Sequence, residues 1–304
     1  MKKTWAIIDI GSNTMRLSIY QCEAQQFRIM IHKKEMVGLA SYVEEQRLSD
    51  SGIKTACEVL NGFKNIVDSL GVEKTFIFAT ASLRNISNTQ EAVSIIEQQT
   101  GYLVEVISGE EEARLDFIGA MHRVELKDGL LVDIGGGSTE LVPFYKKSPV
   151  MAVSVPIGSL SLYTNYVKKI LPKKEELENI RTVAADEIEQ TLGTFRPEKR
   201  QKICGVGGTI RALLKLCNYI YHKESTNQVI SGEEVNELYT MLSDKKEGKW
   251  KAILKVCPDR IHTILPGLTI LWLIVKKYNV TEVIVSGYGV REGYLVERGG
   301  IYRK

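Results

Sequence analysis

Two stretches of this 304-residue chain match each other and constrain its fold more than any other feature. They read AIIDIGSNTMRLSIY at 6–20 and LLVDIGGGSTELVPF at 130–144. Each combines an apolar strand, an Asp-Ile-Gly turn with small polar residues, and a second strand. Equivalent hairpins that open the two halves of a chain predict two similar lobes that face a cleft.

Strands alternate with helical segments after each hairpin, and this order predicts an α/β fold. No Pro-, Gly- or Ser-rich linker separates the halves, so we expect close packing, with the boundary near 118–128. We predict a first lobe over 1–122 and a second lobe over 123–290. A C-terminal helix over 291–304 could pack back on the first lobe.

The periodicity of apolar residues predicts the individual elements. Strands are expected at 4–11, 15–21, 26–37, 74–80, 104–107, 129–135, 138–144, 148–156, 202–208 and 280–287. Helices are expected at 52–71, 88–101, 110–123, 158–169, 173–192, 209–216, 232–241, 258–277 and from 290. The apolar run ILPGLTILWLIV is too short for a membrane span and predicts a buried helix.

The composition is that of a soluble globular protein, with 44% hydrophobic and 25% charged residues. The net charge of +3 is too small to argue for nucleic acid. Five scattered cysteines form no C-x-x-C pair, which predicts reduced, mostly buried thiols in a cytoplasmic protein. Lysines cluster at 146–147, 168–169, 173–174, 245–251 and 276–277. Such clusters are found on ordinary solvent-exposed surfaces and also on basic surfaces that bind a polyanion.

The Asp-Ile-Gly turns place a carboxylate beside several backbone N–H groups. Glycines let the backbone close on an anion, to which the N–H groups donate. A carboxylate beside a phosphate requires a cation between them, and Mg²⁺ binds carboxylates together with phosphate oxygens and water. A third turn, in ICGVGGTIRALLKL, places Gly207, Gly208 and Thr209 at a helix N-terminus, which is another anion site. A tight hairpin or a plain strand-to-helix turn is the structural alternative at each position.

Two further stretches carry charged residues suited to phosphate chemistry. ATASLRN at 79–85 contains Arg84, which suits phosphate recognition or lies on the surface. ISGEEEARLDFIGA at 107–120 places Glu110, Glu111 and Glu112 on the first turn of a helix. Acidic residues are favourable there through the helix dipole alone, and one of the three could act as a general base.

The three glycine turns together resemble the superfamily that contains actin, Hsp70 and sugar kinases. DIGSNTMRL, ATASLRN, ISGEEEARL, DIGGGSTEL, VPIGSL, GVGGTIRAL and VSGYGVREG occur in this order, from about residue 5 to residue 297. This series resembles the exopolyphosphatase/guanosine pentaphosphate phosphohydrolase (Ppx/GppA) family. The resemblance implies two lobes of the actin-like, ribonuclease H-like ATPase fold around a central cleft. No His-Asp pair is present, so the chain resembles the short, two-domain members.

The resemblance also implies roles for individual residues. Glu111 matches the catalytic base, while Asp133 and Glu140 match the acids linked to a divalent metal, Mg²⁺ or alternatively Mn²⁺. The positions that match the phosphate contacts are Asp9, Ser12, Asn13, Arg84, Gly135, Gly136, Gly137 and Ser138. Gly207, Gly208 and Thr209 match the glycine turn of the second lobe.

The expected reaction is Mg²⁺-dependent hydrolysis of the terminal phosphoanhydride of inorganic polyphosphate, with Glu111 activating water. One alternative keeps the chemistry and takes the 5′-terminal phosphate of pppGpp. Others are a kinase or ATPase of the actin-like class, and a non-catalytic sensor of polyphosphate or pppGpp. Retention of Glu111, Asp133 and Glu140 argues against the sensor, since binding alone requires no base. Short family members are often dimeric, which makes a homodimer the expectation.

Overall fold

The structure, a computed structural model, describes residues 2–24, 26–193, 202–244 and 250–301. It divides into two compact units, Met1–Glu112 with Tyr294–Lys304, and Ala113–Gly293. The first division falls within the helix Gly109–Met121 and the second within the helix Val290–Gly299. Residues 302–304 of the predicted C-terminal helix and 245–249 of the predicted lysine cluster lie outside the described residues.

The first unit contains a five-stranded sheet in the order β3-β2-β1-β6-β7. Its strands are β1 Lys3–Ile10, β2 Thr14–Glu23, β3 Gln26–Met36, β6 Lys74–Ala79 and β7 Glu105–Val106, and a separate ribbon pairs β4 Val43–Glu44 with β5 Arg47–Leu48. Its helices are α1 Asp50–Ser69, α2 Ala81–Arg84, α3 Thr89–Thr100 and the start of α4 Gly109–Met121. β1 pairs antiparallel with β2 and parallel with β6, so the carboxyl ends of β1 and β6 meet at one edge.

Helix α1 shows how the sequence pattern builds this unit. Its buried positions recur at helical spacing and include Ile53, Leu60 and Phe63, which join the core cluster of the first unit. The Ser49 hydroxyl accepts a hydrogen bond from the Gly52 N–H and caps the helix. A helix capped in this way and apolar along one face is held against the sheet by that face.

The second unit contains a seven-stranded sheet in the order β10-β9-β8-β12-β14-β13, with β11 also paired to β9. Its strands are β8 Gly129–Ile134, β9 Thr139–Tyr145, β10 Ser148–Pro149, β11 Val153–Val155, β12 Lys202–Val206, β13 Val229–Ser231 and β14 Glu282–Val285. Its helices are α5 Ser159–Tyr166, α6 Lys174–Leu192, α7 Gly207–Ile220, α8 Gly232–Ser243, α9 Trp250–Val256, α10 Ile264–Lys277 and the start of α11 Val290–Gly299. β12 lies between β8 and β14 and runs parallel to both.

The predicted helices and strands are confirmed, with a few differences that have local causes. The strand predicted at 148–156 is two short strands, β10 and β11, which contact β9 at separate places. The helix predicted from 258 begins at Ile264, after a short 3₁₀ turn over Pro258–Arg260. The pattern missed β4, β5, α2, β13 and α9, which are all shorter than the stretch over which helical or strand periodicity can be recognised.

Burial agrees with two further expectations from composition. All five cysteines are free and buried. Helix α10 is buried along most of its length, because the core cluster of the second unit surrounds it. Within the described ranges, no helix is long and apolar enough to cross a membrane.

Candidate active site

The two Asp-Ile-Gly turns have matching backbone geometry in their separate units. Gly11 N–H donates to Thr14 O at 3.1 Å, and Gly135 N–H donates to Ser138 O at 2.9 Å. In the part of the chain that the structure describes, the N–H groups of the two residues after each glycine have no backbone acceptor. Successive N–H groups of this kind form a concave donor site for an anion. Each turn therefore presents backbone donors of the kind that suit a phosphate, and the phosphate contact itself stays a prediction.

The first turn is supported from its carbonyl side. Asn13 O accepts hydrogen bonds from Val37 N–H at 3.1 Å and Gly38 N–H at 3.0 Å, and Ser12 O accepts one from Ala40 N–H at 3.0 Å. The segment after β3 thus fixes the carbonyl groups of Ser12 and Asn13. The N–H groups of the same two residues are not used in these hydrogen bonds.

The acids that precede the two turns face different neighbours. In the antiparallel register, Asp9 lies directly opposite Arg16, whereas Asp133 lies directly opposite Glu140. Directly opposed residues carry their side chains on the same face of a sheet. The first hairpin therefore places a carboxylate opposite a guanidinium group, whereas the second places two carboxylates opposite each other. The second turn is therefore the better candidate for a cation site.

Glu140 and Asp133 differ in accessibility. The Glu140 side chain is only 1% exposed, and its Oε1 accepts hydrogen bonds from Ser138 Oγ at 2.7 Å and Ser154 Oγ at 2.8 Å. Asp133 is partly exposed at the end of β8. The geometry makes Asp133 the accessible carboxylate, while Glu140 also fixes the serine that closes the turn.

The triple-glycine turn is docked against the N-terminus of α5. The carbonyl of Gly135 accepts from Ser159 N–H, and that of Gly136 accepts from Leu160 N–H and Ser161 N–H, each at 2.9 Å. A Cβ atom on Gly158 would lie 2.4 Å from Gly136 O, so only glycine permits this approach. No residue of this VPIGSL segment was predicted from the sequence to belong to the site. The glycine immediately before a helix was the available signal.

The third glycine turn lies beside Asp133. Gly207 has φ +80, and a Cβ atom there would lie 1.9 Å from Asp133 Oδ1. Helix α7 therefore begins against the Asp133 carboxylate. Thr209 is 2% exposed, with its hydroxyl 3.4 Å from Ser159 Oγ and 3.5 Å from Arg260 Nη1. Thr209 therefore belongs to the predicted turn and, through its contact with Ser159, also links α7 to α5.

Two arginines near Asp133 were not identified from the sequence. Burial lowers the pKa of the Arg211 guanidinium, an effect that Arg291 reinforces and Asp133 opposes. Burial also lowers the pKa of Arg260, and Asp259 and Asp133 oppose that shift. Arg211 lies one helical turn after Gly207 on α7. This spacing is the sequence feature that could have placed Arg211 near the glycine turn. Asp133 thus faces positive charge as well as the Glu140 carboxylate.

In the first unit, Arg84 is engaged by an internal carboxylate. Its Nη1 lies 2.8 Å from Glu112 Oε2 and donates to Ile107 O at 3.2 Å, and both charged side chains are largely buried. A phosphate would therefore meet the remaining N–H groups of the guanidinium. The planar fork of donors allows this division of contacts.

The three consecutive glutamates at the start of α4 have three different environments. Glu110 is exposed, Glu112 pairs with Arg84, and Glu111 Oε1 lies 2.8 Å from Arg298 Nη2. The Ser108 hydroxyl accepts from the Glu111 N–H at 3.0 Å and fixes the start of the helix. Glu111 is therefore held at both its backbone and its carboxylate.

The donor set of the second unit fits a hard divalent cation. In the residues that the structure covers, no group of three or more His, Cys, Asp or Glu side chains could hold a metal by itself. Mg²⁺ commonly binds through one or two carboxylates and completes its shell with substrate phosphates and water. Asp133, with Glu140 opposite, matches that requirement.

Replacing Gly207 by alanine is expected to lower the free energy of unfolding by about 2–4 kcal/mol, because positive φ is unfavourable and the methyl group displaces Asp133. Phosphatase activity should fall more than tenfold as Asp133 moves (~1.4 kcal/mol). Gly71→Ala is the matched control, since Gly71 has φ +60 with nothing within 4 Å. Urea unfolding and initial rates measure both effects. Equal losses of activity in the two variants would contradict the role of the Asp133 contact.

Comparisons with known proteins identify the family of the chain. The model of the Ppx/GppA phosphatase family matches residues 18–299. A Haemophilus influenzae protein named "Putative exopolyphosphatase" is 26% identical over 292 residues, covering 95% of this chain and 90% of that protein.

Solved structures show the same fold. The Aquifex aeolicus Ppx/GppA family member matches with a TM-score of 0.79 and 27% identity, over 98% of both chains. An exopolyphosphatase from Cytophaga hutchinsonii matches with a TM-score of 0.86 and 23% identity, over 99% of both chains. The predicted α/β fold with two actin-like lobes is thereby confirmed. The chain belongs to the Ppx/GppA phosphatase family and, as a member of it, is a hydrolase that acts on phosphoanhydrides.

Proposed function

We propose that the chain is an exopolyphosphatase that releases orthophosphate from the end of inorganic polyphosphate. The observation that carries this proposal is the repeated turn, which leaves successive backbone N–H groups for phosphate oxygens in each unit. The name of the Haemophilus influenzae relative supports the same substrate. Inorganic polyphosphate consists of identical phosphate groups, so similar donor sites could each bind one of its phosphates.

The second unit contains the residues proposed to hold the metal. Asp133 would hold Mg²⁺, with Glu140 as the second carboxylate, and Mn²⁺ would satisfy the same oxygen donors. The ion, when bound, neutralises phosphate oxygens and reduces their repulsion of a nucleophile. The N–H groups of the glycine turn orient the phosphoryl group, while Arg211 and Arg260 balance the charge around Asp133.

The first unit contains the proposed base and its own phosphate donors. Glu111 takes a proton from the attacking water, and Arg84 and the amides after Gly11 bind phosphate oxygens. Phosphoryl transfer depends mainly on positioning and charge stabilisation, so donors in a fixed arrangement and one base are sufficient. A sensor would require the donors but not the base, which favours the enzyme.

The substrate is tested by phosphate release from long-chain polyphosphate, a short oligophosphate, pppGpp and ATP, each with Mg²⁺. We expect kcat/KM for long-chain polyphosphate to exceed that for pppGpp by at least about tenfold, since more phosphates reach the donors. Release that is faster from pppGpp would assign the chain to the nucleotide reaction. Turnover of ATP alone, stimulated by a small acceptor, would indicate the kinase alternative.

A further inference from the structure

Three helices of the second unit enclose a cavity that the proposed reaction does not use. Helices α6 and α8 both pack on α10, and the cavity between the three has a volume of about 800 Å³. Its lining residues follow the i, i+3, i+4, i+7 pattern from Lys174 to Arg181 on α6 and from Asn236 to Ser243 on α8. One face of each helix therefore lines the cavity. Ligand pockets commonly measure about 300–1,000 Å³, so the cavity accommodates one small organic molecule.

The cavity does not overlap the candidate active site. Among the described residues, none that lines it belongs to that site. Helix α10 reaches both places, because a Cβ atom on Gly267 would lie 2.4 Å from Thr209 Cγ2, whereas Trp272 lines the cavity. Five positions of α10 separate Gly267 from Trp272, which corresponds to about 7.5 Å along the helix axis. A ligand in the cavity would therefore contact the helix that packs on the third glycine turn, but not the turn itself.

The floor of the cavity is apolar and aromatic. Leu177, Tyr239 and Trp272 line it, and each is at most 9% exposed. The Tyr239 and Trp272 rings are stacked, with centroids 4.1 Å apart and planes at 12°. The Nζ of Lys276 lies 4.4 Å from the Trp272 ring centroid, so a positive charge lies beside the aromatic floor. Buried, stacked rings form a rigid surface that suits a planar aromatic ligand.

The rim of the cavity carries more basic than acidic side chains. Lys174 and Lys276 are exposed there and form no ion pair within the part of the chain that the structure describes. Arg181 also lines the cavity and pairs with Glu178 on the same helix. The second acidic residue of the lining, Asp244, follows the end of α8. Three basic and two acidic side chains favour an anion, and the two lysines are the groups that can receive it.

The two lysines belong to clusters that the sequence analysis identified, at 173–174 and 276–277. The sequence left these clusters as ordinary solvent-exposed surface or as a surface for a polyanion. The cavity favours a different ligand, because a polyanion has no apolar part to place on the aromatic floor. A small anion that carries a flat ring would use the floor and the lysines together.

We propose that this cavity binds a small molecule in which a planar aromatic ring carries an anionic group. The ring lies on the floor that Tyr239 and Trp272 form, and Lys174 and Lys276 hold the anionic group at the rim. Nucleoside monophosphates and aromatic carboxylates share this chemistry. The site lies outside the proposed phosphoanhydride reaction and does not depend on it.

The test measures binding of naphthalene-2-sulfonate to the full chain by isothermal titration calorimetry. We expect one molecule per chain with a Kd below about 1 mM. Binding should be at least about tenfold tighter than that of methanesulfonate, which lacks the ring, or 2-naphthol, which lacks the anionic group. Tripolyphosphate without Mg²⁺ should not displace the probe, since the proposed phosphate donors lie elsewhere. AMP and indole-3-acetate are then titrated against the probe, and the one that displaces it at lower concentration identifies the source of the ligand.

Substitutions at the rim and the floor test the two parts of the site. Lys174→Gln combined with Lys276→Gln should weaken binding of the probe about three- to tenfold, since each exposed charge contributes only a few-fold. Trp272→Leu should weaken it more than about tenfold, because the stacking surface is lost. Lys255→Gln is the matched control, since Lys255 Nζ lies 5.0 Å from the Tyr219 ring centroid elsewhere in the same unit. Its Kd should equal that of the wild type.

The proposal is overturned by a Kd for naphthalene-2-sulfonate above about 1 mM, or by a Kd that the double lysine variant leaves unchanged. Displacement of the probe by long-chain polyphosphate at lower concentration than by AMP or indole-3-acetate would assign the lysines to a polyanion and refute it. If Trp272→Leu does not fold, the double lysine variant decides, because both lysines are exposed and their replacement leaves the core intact. Phosphate release from polyphosphate is a separate measurement, so either proposal can fail without the other.

Discussion

Glu111→Gln is expected to lower kcat for phosphate release from polyphosphate by about 10²–10⁴-fold, the usual contribution of a general base. Glutamine keeps the size of the side chain and a hydrogen bond from Arg298 through its amide oxygen, but it cannot accept the proton from water. Substrate binding should survive, with KM within about threefold of wild type. Steady-state phosphate release at saturating Mg²⁺ measures both constants.

The neighbouring glutamates supply matched controls for this substitution. Glu110 is exposed at the start of the same helix, so Glu110→Gln should leave kcat unchanged. Glu112 pairs with Arg84 in a largely buried contact, so Glu112→Gln should disturb Arg84 and raise KM more than it lowers kcat. The prediction for Glu111 fails if Glu112→Gln abolishes turnover while Glu111→Gln retains it.

The parts of this fold that the sequence predicted are those with a local signal. Each Asp-Ile-Gly hairpin is closed within a few residues, so its turn follows from its own composition, as the bond from Gly135 to Ser138 shows. Helix α1 likewise follows from its apolar spacing and the Ser49 cap. Signals of this kind require no knowledge of what else the chain contacts.

The partners of the site residues could not be predicted in the same way, because they come from distant parts of the chain. Arg298 lies 187 positions after Glu111, and Gly158 meets Gly136 only because α5 docks on the turn. The difference between Arg16 and Glu140 was visible in principle, since each follows its aspartate at the same spacing. It becomes meaningful only when the register places each one directly opposite that aspartate.

Asp133→Asn is expected to lower kcat by about 10²–10³-fold and to raise the Mg²⁺ concentration for half-maximal activity at least about tenfold. Asparagine matches aspartate in shape, so the contact with Gly207 is preserved while the charge is lost. Initial rates over a Mg²⁺ titration, repeated with Mn²⁺, measure the effect. Direct Mn²⁺ binding by electron paramagnetic resonance provides a readout that does not depend on turnover.

The same substitution distinguishes two explanations of the charge at Asp133. Arg211 and Arg260 both interact with this carboxylate, so its role could be to balance buried guanidinium groups rather than to hold a metal. In that case Asp133→Asn would lower the free energy of unfolding and leave the Mg²⁺ dependence unchanged. Asp9→Asn is the matched control, because Asp9 occupies the equivalent position but faces Arg16. A shift in Mg²⁺ dependence confined to Asp133→Asn would assign the metal to the hairpin in which two carboxylates meet.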